Sequence, residues 1–575
     1  MSANPIAPKR ENAARPPIAG ELFLSALAAH GVDYFFANPG TDFPPIVEAF
    51  GRAKKTNMPV PVPILVPHEN LAVGMAHGVY LMTGRPQAVM VHVNVGTANT
   101  INNLANLSRE RAPFLLAAGR SPITESGQFG ARMRQIHWGQ EMFDQAGMVR
   151  EFVKWDYELR VPEQVGDVVA RAFEVAMTSP QGPVYLALPR EPLSASLDGP
   201  IETVRPQAVA AAPHPDPAAI EKLAGWLARA ERPVLITAAS GLDRNAVPIL
   251  ANFTERWAMP VVSFNSRYLN LPLSHPMHQG FDPGVLLADA DLVISLECEV
   301  PWFPIEHKIS AGCKVAHIGE DPAFVRYPMR SFPSDLTITA GSANAIAALD
   351  RAMDKAKPDA ARTAARRTRL TETSAARRAR VAKAAENSGD KITVPYASKC
   401  VGDAVGLDAV IFNEYPLSLD HCPREKPGTY FGTSTSGGLG WGLGAALGAK
   451  LAAPEKLVVA TLGDGTYMFT NPTVSHWVGA RHELPVLTII FNNSRYGAVR
   501  RATLSMFKDG VSGEDDGRFL ADLDPSPPYE EFVRSQGGFG ERVEKPQDLP
   551  DVLARARDAV MKDRQQALVN IIVPY

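Results

Sequence analysis

Along this chain, short apolar runs alternate with longer stretches in which apolar residues recur at helical spacing, and turn residues close most of the runs. Runs at 34–36, 62–66, 88–93, 114–117 and 184–188 predict strands, with helices between them and an opening helix in ELFLSALAAHG from Glu21. A second alternating region predicts strands at 234–237, 261–263, 292–296 and 315–318, and a third at 410–413, 457–462 and 486–491. Such alternation means parallel sheets with helices on both faces. The fold class is therefore α/β, with three doubly wound parallel-sheet domains.

A length of 575 residues exceeds what one core supports, which agrees with three domains. Proline-rich sequence at 200–217 marks the first linker, and alanine and arginine dominate a second between 350 and 390. The expected divisions are 18–195, 213–345, a linker at 346–391, and 392–575.

Candidate chemistry concentrates where two apolar runs of the third region end. The run 457–462 stops at Gly463-Asp464-Gly465, a helical pattern follows, and the run 486–491 stops at Asn492-Asn493. A strand-helix-strand crossover sets two parallel strands side by side, so both loops open at one sheet edge and Asp464 meets Asn493. One carboxylate and one amide oxygen make an incomplete cage for magnesium, which completes its octahedron with water and phosphate oxygens. Gly463-Asp464-Gly465 alone reads equally as a tight turn.

The spacing decides between these readings. Twenty-six residues separate Gly465 from Asn492, and this pattern resembles the fingerprint of the thiamine-diphosphate-dependent enzymes, the superfamily of acetolactate synthase, pyruvate oxidase and benzoylformate decarboxylase. The resemblance implies that the first domain binds the cofactor's pyrimidine and the last its diphosphate. It implies that Asp464 and Asn493 give side-chain oxygens, and Arg495 a carbonyl, to Mg2+. Gly463, Gly465 and Thr466 would flank the diphosphate. Gly437 would accept from the cofactor's exocyclic amine, and Leu439 would wedge the two rings into a bent shape; core packing is the other reading of Leu439. Tyr415-Pro416-Leu417 departs from the family, which places hydroxyl residues there for the diphosphate.

Glu69 follows the strand at 62–66 and precedes LAVGMAHGVYLMTG. Its setting predicts a desolvated carboxyl with a raised pKa, while an idle first-turn glutamate is the alternative. The family places its proton-relay glutamate here. The stretch HENLAVGMAHGVYLMTGRPQAVMVHVNVGTAN looks like the benzoylformate decarboxylase branch, which makes His92 an acid-base candidate. Otherwise His92 is a satisfied polar group at a core edge. Asn38-Pro39-Gly40-Thr41 resembles that branch's NPGS, so Thr41 would contact substrate. In ECEVPWF, at 297–303, Trp302 points either toward substrate or into a core. The branch's second histidine has no match beyond His307 at an unconvincing register.

The implied cofactors are thiamine diphosphate and Mg2+. FAD is not expected, since the middle region lacks a Gly-x-Gly-x-x-Gly turn. The implied reaction is decarboxylation of a 2-oxo acid to an aldehyde. Acetolactate-synthase-like carboligation to a 2-hydroxy ketone is the alternative, and a non-catalytic cofactor-binding subunit the reading from another class. The family builds its site between subunits, so a homodimer or dimer of dimers is implied. The polar, irregular stretch 506–528, with its acidic run Glu514-Asp515-Asp516, predicts a lid.

Charge and cysteines narrow the setting. A net charge of -3 gives no general pull toward nucleic acid or anionic membrane. Cys298, Cys313, Cys400 and Cys422 have no metal-ligand spacing and suit a reducing compartment. The opening residues, MSANPIAPKRENAARPPIAG, read as a loose tail without the apolar core of a signal peptide, and no run is long enough to span a bilayer. A cytoplasmic enzyme is expected. Arg362, Arg366, Arg367, Arg369, Arg377, Arg378 and Arg380 allow an anion-binding arm, but Glu372 and Glu386 interrupt them and no aromatic residues interleave, which favours a solvated linker helix.

Overall fold

The computed structural model describes residues 15–386, 389–514 and 519–574. Residues 1–14 of the expected tail, and Asp515 and Asp516 of the acidic run, lie outside the described residues. The chain folds into three parallel-sheet α/β units.

The first sheet contains β1 (Tyr34–Asn38), β2 (Val62–Leu65), β3 (Gln87–Val91), β4 (Phe114–Arg120), β5 (Asp156–Glu158) and β6 (Pro183–Pro189), in the order β2-β1-β3-β4-β6-β5. The second contains β7 (Pro233–Thr237), β8 (Val261–Val262), β9 (Leu292–Leu296), β10 (Lys314–Gly319) and β11 (Leu336–Thr339), in the order β11-β10-β9-β7-β8. The third contains β12 (Val410–Glu414), β13 (Tyr430–Gly432), β14 (Val458–Gly463), β15 (Leu487–Asn492), β16 (Phe539–Val543) and β17 (Ala567–Ile572), in the order β13-β12-β14-β15-β17-β16. Central strands such as β3 and β15 are buried along their whole length. That is why their sequences are continuous apolar runs rather than alternating ones.

The first and last units pack through two helices, Glu69–Thr83 and Gly442–Ala452. Their backbones touch: a Cβ on Gly78 would stand 1.9 Å from Ala445 O, and one on Gly448 would stand 1.9 Å from Met75 O. Gly444 and Gly448 of GGLGWGLGAALG thus serve close helix contact. Trp441 closes the seam by donating its Nε1–H to His77 Nδ1 at 3.0 Å.

The arginine-rich helix, Ala360–Ala384, is not merely solvated. Arg366 is buried and donates to Ala258 O, Ala230 O and Trp257 O, while Arg362 and Arg367 donate to Arg229 O and Glu255 O. Those carbonyls end the helices Pro217–Arg229 and Ala246–Trp257, where a cation meets orphan acceptors and the negative end of the helix dipole. Arg377 pairs with Asp420 and so ties the helix to the last unit. Among the described residues no helix is long and apolar enough to cross a membrane.

Candidate active site

Strands β14 and β15 are parallel neighbours, with Gly463 in register with Phe491, so Asp464 and Asn493 leave the sheet at the same edge. Asp464 Oδ2 and Asn493 Oδ1 both accept from the main-chain amide of Arg495, at 3.2 and 3.1 Å. Asp464 is buried, and burial pushes its carboxyl up to about 6 against the pull of backbone amides, those of Gly465 and Arg495 first. No Lys or Arg side chain among the described residues pairs with it. A buried carboxylate without a cation is costly, and here it sits beside the Asn493 amide oxygen, which accepts from the same Arg495 amide. This donor set fits a hard divalent ion that keeps water and phosphate oxygens.

Asn492, the first of the pair, works as a brace. Its amide donates to Ser526 Oγ and Asn570 Oδ1, and its Oδ1 accepts from Ser494 N. Gly465 has a steric reason to be glycine, since a Cβ there would lie 2.6 Å from the Tyr496 ring. The far end of the expected lid is pinned to this loop, with Tyr496 N donating to Ala521 O and Leu523 N to Ser494 O, both at 2.8 Å. The expected helix after Gly465 is two, Asp464–Phe469 and Pro472–Arg481, because Asn471 adopts φ +53° ahead of Pro472.

Thr466 is buried, and its hydroxyl donates to Gly463 O at 2.8 Å and Glu414 O at 3.2 Å. Glu414 is the last residue of β12. It is fully buried, and its two oxygens accept from Gly440 N at 2.7 Å and Gly442 N at 2.6 Å. Burial raises its pKa to about 7 despite these amides. The carboxylate therefore clamps one side of the loop that carries Gly437 and Leu439.

The other side of that loop is held from the first unit. Asn106 reads both polar groups of Gly438, donating to its carbonyl at 2.7 Å and accepting from its amide at 3.0 Å, and Asn102 donates to Leu439 O at 2.7 Å. Gly437 sits at φ +69°. Leu439 is half-buried and joins none of the apolar cores of the described residues, which removes plain core packing as its explanation.

Glu69 opens the helix Glu69–Thr83, and its carboxylate is held by two amides, Asn38 Nδ2 at 2.9 Å and Asn99 Nδ2 at 2.5 Å. Contrary to the expected desolvation, the single chain leaves it half-buried. His92 is the one residue between β3 and the helix Val93–Arg109, at whose N-cap position it stands without a side-chain capping bond. Its Nδ1 lies 2.5 Å from Asp42 Oδ1, and its Nε2 3.1 Å from Gln140 Nε2. The hydrogen bond to Asp42 raises the His92 pKa, and burial opposes it. Thr41, Ser121, Gln140 and Arg190 line the same small pocket.

Trp302 is not brought to this site. It is buried in the middle unit's core, edge-on to Phe332 with ring centroids 5.1 Å apart, because the turn after β9 folds it back over the sheet. His307 also stays in the middle unit, its Nδ1 accepting from Phe303 N. Asp42, Asn99, Asn106 and Glu414 carried no local signal, because their partners are distant in sequence.

These two half-sites coincide with two family models. Residues 18–148 match the N-terminal TPP binding domain of thiamine pyrophosphate enzymes, and residues 416–571 match the C-terminal TPP binding domain. The chain belongs to the thiamine pyrophosphate enzymes, within the decarboxylase and acetolactate synthase group.

Particular relatives follow from comparison over nearly the whole chain. It is 27% identical to benzoylformate decarboxylase of Pseudomonas aeruginosa over 494 residues, covering 82% of this chain and 85% of that protein. It is 25% identical to sulfoacetaldehyde acetyltransferase of Castellaniella defragrans over 583 residues, covering 96% and 92%. With the acetolactate synthase large subunit of Lactococcus lactis it shares 23% identity over 579 residues, covering 97% and 93%. The solved 4-hydroxybenzoylformate decarboxylase of Rhodococcus jostii RHA1 shares the fold, with a TM-score of 0.77 at 21% identity over 97% of this chain and 99% of that one.

Proposed function

We propose that this chain is a thiamine-diphosphate- and magnesium-dependent 2-oxo acid decarboxylase that releases carbon dioxide and an aldehyde. The observation that carries the reading is the convergence of Asp464 and Asn493 on one amide at the ends of adjacent strands. Thiamine diphosphate, when bound, supplies a carbon acid that adds to a carbonyl and accepts the electrons left by departing carbon dioxide.

The chain's own residues then have separable tasks. Asp464, Asn493 and the carbonyl of Arg495 hold magnesium, with Gly463, Gly465 and Thr466 beside the diphosphate. The Gly437 carbonyl and the Leu439 side chain fix the orientation of the two rings, on a loop that Glu414 and Asn106 keep in place. Glu69 exchanges a proton with the pyrimidine ring. Asn38 and Asn99 donate to its carboxylate and so fix its orientation. His92 moves a proton at Nε2 beside Thr41, toward the substrate.

Carboligation to a 2-hydroxy ketone remains a second reading, since the chain is also similar to an acetolactate synthase. A non-catalytic subunit is disfavoured by Glu69 and its two supporting amides. The half-buried Glu69 and the exposed Phe129, Phe143, Phe519 and Leu520 support a homo-oligomer, a dimer or dimer of dimers, in which a second copy covers the site, and the four free cysteines suit a cytoplasmic setting. A monomeric active species in solution scattering contradicts that assembly.

Incubating the holoenzyme with pyruvate or benzoylformate, alone and with an acceptor aldehyde, tests the reaction. Carbon dioxide with a free aldehyde supports the decarboxylase, and a 2-hydroxy ketone as the main product supports the ligase. If the cofactor binds and no 2-oxo acid is consumed, the proposed function fails.

A further inference from the structure

Asp42 follows Thr41 in the loop after β1 and is buried, at 4% exposure. Its Oδ1 lies 2.5 Å from His92 Nδ1, and its Oδ2 accepts from Val93 N at 3.3 Å. The backbone is built around this pair. A Cβ on Gly40 would stand 2.2 Å from His92 Nδ1, and one on Gly119 would stand 1.6 Å from Asp42 Oδ2, so any larger residue at either place would displace the ring or the carboxylate. Val93, directly after the histidine, takes φ +32°, a backbone conformation that a β-branched residue adopts only where the surroundings impose it. Across the ring, Nε2 faces Gln140 Nε2 at 3.1 Å. The buried Ser121 hydroxyl in that pocket has no hydrogen-bond partner among the described residues.

We propose that Asp42 is the positioning residue of His92: it keeps a proton on Nδ1, leaves Nε2 as the nitrogen that exchanges a proton in the pocket, and makes Gln140 the partner that must turn when it does. The proposal deepens the reading that His92 serves the substrate, and rests on it for its catalytic meaning. A neutral imidazole carries its proton on either nitrogen, and an ionised carboxylate only accepts, so Asp42 selects the Nδ1–H tautomer. Gln140 presents its NH2 to Nε2, which fits the same tautomer, with Nε2 as acceptor. Once Nε2 is protonated, donor faces donor, and Gln140 must rotate to offer Oε1. Proton uptake at His92 is thereby coupled to one amide flip beside Ser121, whose hydroxyl is left for a polar group of the substrate.

The charged and titratable groups around His92 are Asp42, Glu69, His137, Arg120 and Arg190. The hydrogen bond from His92 to Asp42 is the largest influence on its titration; burial opposes it, and the charges of Asp42 and Glu69 add to it. Removing the Asp42 charge should therefore lower the midpoint at which the ring takes up its proton.

The test is nitrogen NMR of the full-length protein with 15N-labelled histidine, the His92 signal being assigned by its loss in His92→Gln. Wild-type protein should show the Nδ1–H tautomer at pH 8 and a titration midpoint above about 6.5. Asp42→Asn should lower the midpoint by about one unit or more and mix the tautomers, and Asp42→Glu should restore part of the shift. The acid limb of kcat should move with it. If the midpoint moves and the kcat limb does not, Asp42 positions His92 as proposed and the catalytic reading of His92 is the part that fails. An Nε2–H tautomer in the wild-type protein overturns the proposal whether or not Asp42→Asn folds, as does an unchanged midpoint in a folded Asp42→Asn.

Discussion

Asp464 and Asn493 aim side-chain oxygens at the same amide, that of Arg495, over 3.2 and 3.1 Å. Only backbone amides oppose the burial of the Asp464 carboxylate, and among the described residues no group of three or more His, Cys, Asp or Glu side chains converges to hold a metal elsewhere. A cage this incomplete would bind the proposed metal only together with phosphate. Chelation with EDTA followed by desalting should therefore remove activity and bound thiamine diphosphate together. Readdition of Mg2+ with the cofactor should restore both, and full activity after exhaustive chelation would contradict the assignment.

Glu69 is separable from cofactor binding. Glu69→Gln keeps a group that Asn38 and Asn99 can still reach but cannot exchange a proton, so thiamine diphosphate should bind with little change while kcat falls at least about 100-fold, the scale of one acid-base group. Steady-state kinetics with a parallel binding titration checks both. Asn99→Ala, which removes one supporting amide, should give a smaller loss of kcat.

Leu439 depends on its hinges. Asn106→Ala leaves the amide and carbonyl of Gly438 without their partner, which should cost about 1–3 kcal/mol of stability and weaken cofactor binding. Leu439→Ala removes no hydrogen bond and touches no core, so thermal unfolding should be nearly unchanged while kcat falls. Equal stability losses in the two variants would argue against the wedge.

Glu414 supplies a pH signature. Its folded pKa is raised to about 7 by burial, above its value in an unfolded chain, so the folded form holds a proton over a range where the unfolded form has lost it. Its contribution to stability is fully present below about pH 4.3 and is lost as pH rises to about 7, at up to about 1.4 kcal/mol per pH unit. Relative to Glu414→Gln, the wild-type chain should lose stability across that window and run parallel above it. Denaturant unfolding of both from pH 4.5 to 8.5 measures the difference, and a constant gap would refute the account.

Much of the fold is legible in the sequence because buried parallel strands are continuous apolar runs that end in turn residues. The predicted run at 292–296 is the strand Leu292–Leu296, and 410–413 falls one residue short of Val410–Glu414. The strand Asp156–Glu158 escapes because it is a three-residue edge, half-buried and polar, and Tyr430–Gly432 escapes because it sits inside an irregular, proline-rich stretch. In the site, Asp464 and Asn493 are legible because the crossover fixes their meeting. Asp42, Asn106 and Glu414 are not, because each works on a partner that only tertiary packing supplies. The arginines at 362, 366 and 367 were misread as solvated because their targets, helix-ending carbonyls, carry no side-chain signature.

Isothermal titration calorimetry of thiamine diphosphate with Mg2+ into wild-type protein and Asp464→Ala tests the central claim most directly. Saturable, magnesium-dependent binding to the wild-type chain, lost in a folded Asp464→Ala, is the expected result. No association with the wild-type protein, or undiminished binding to the variant, contradicts the account.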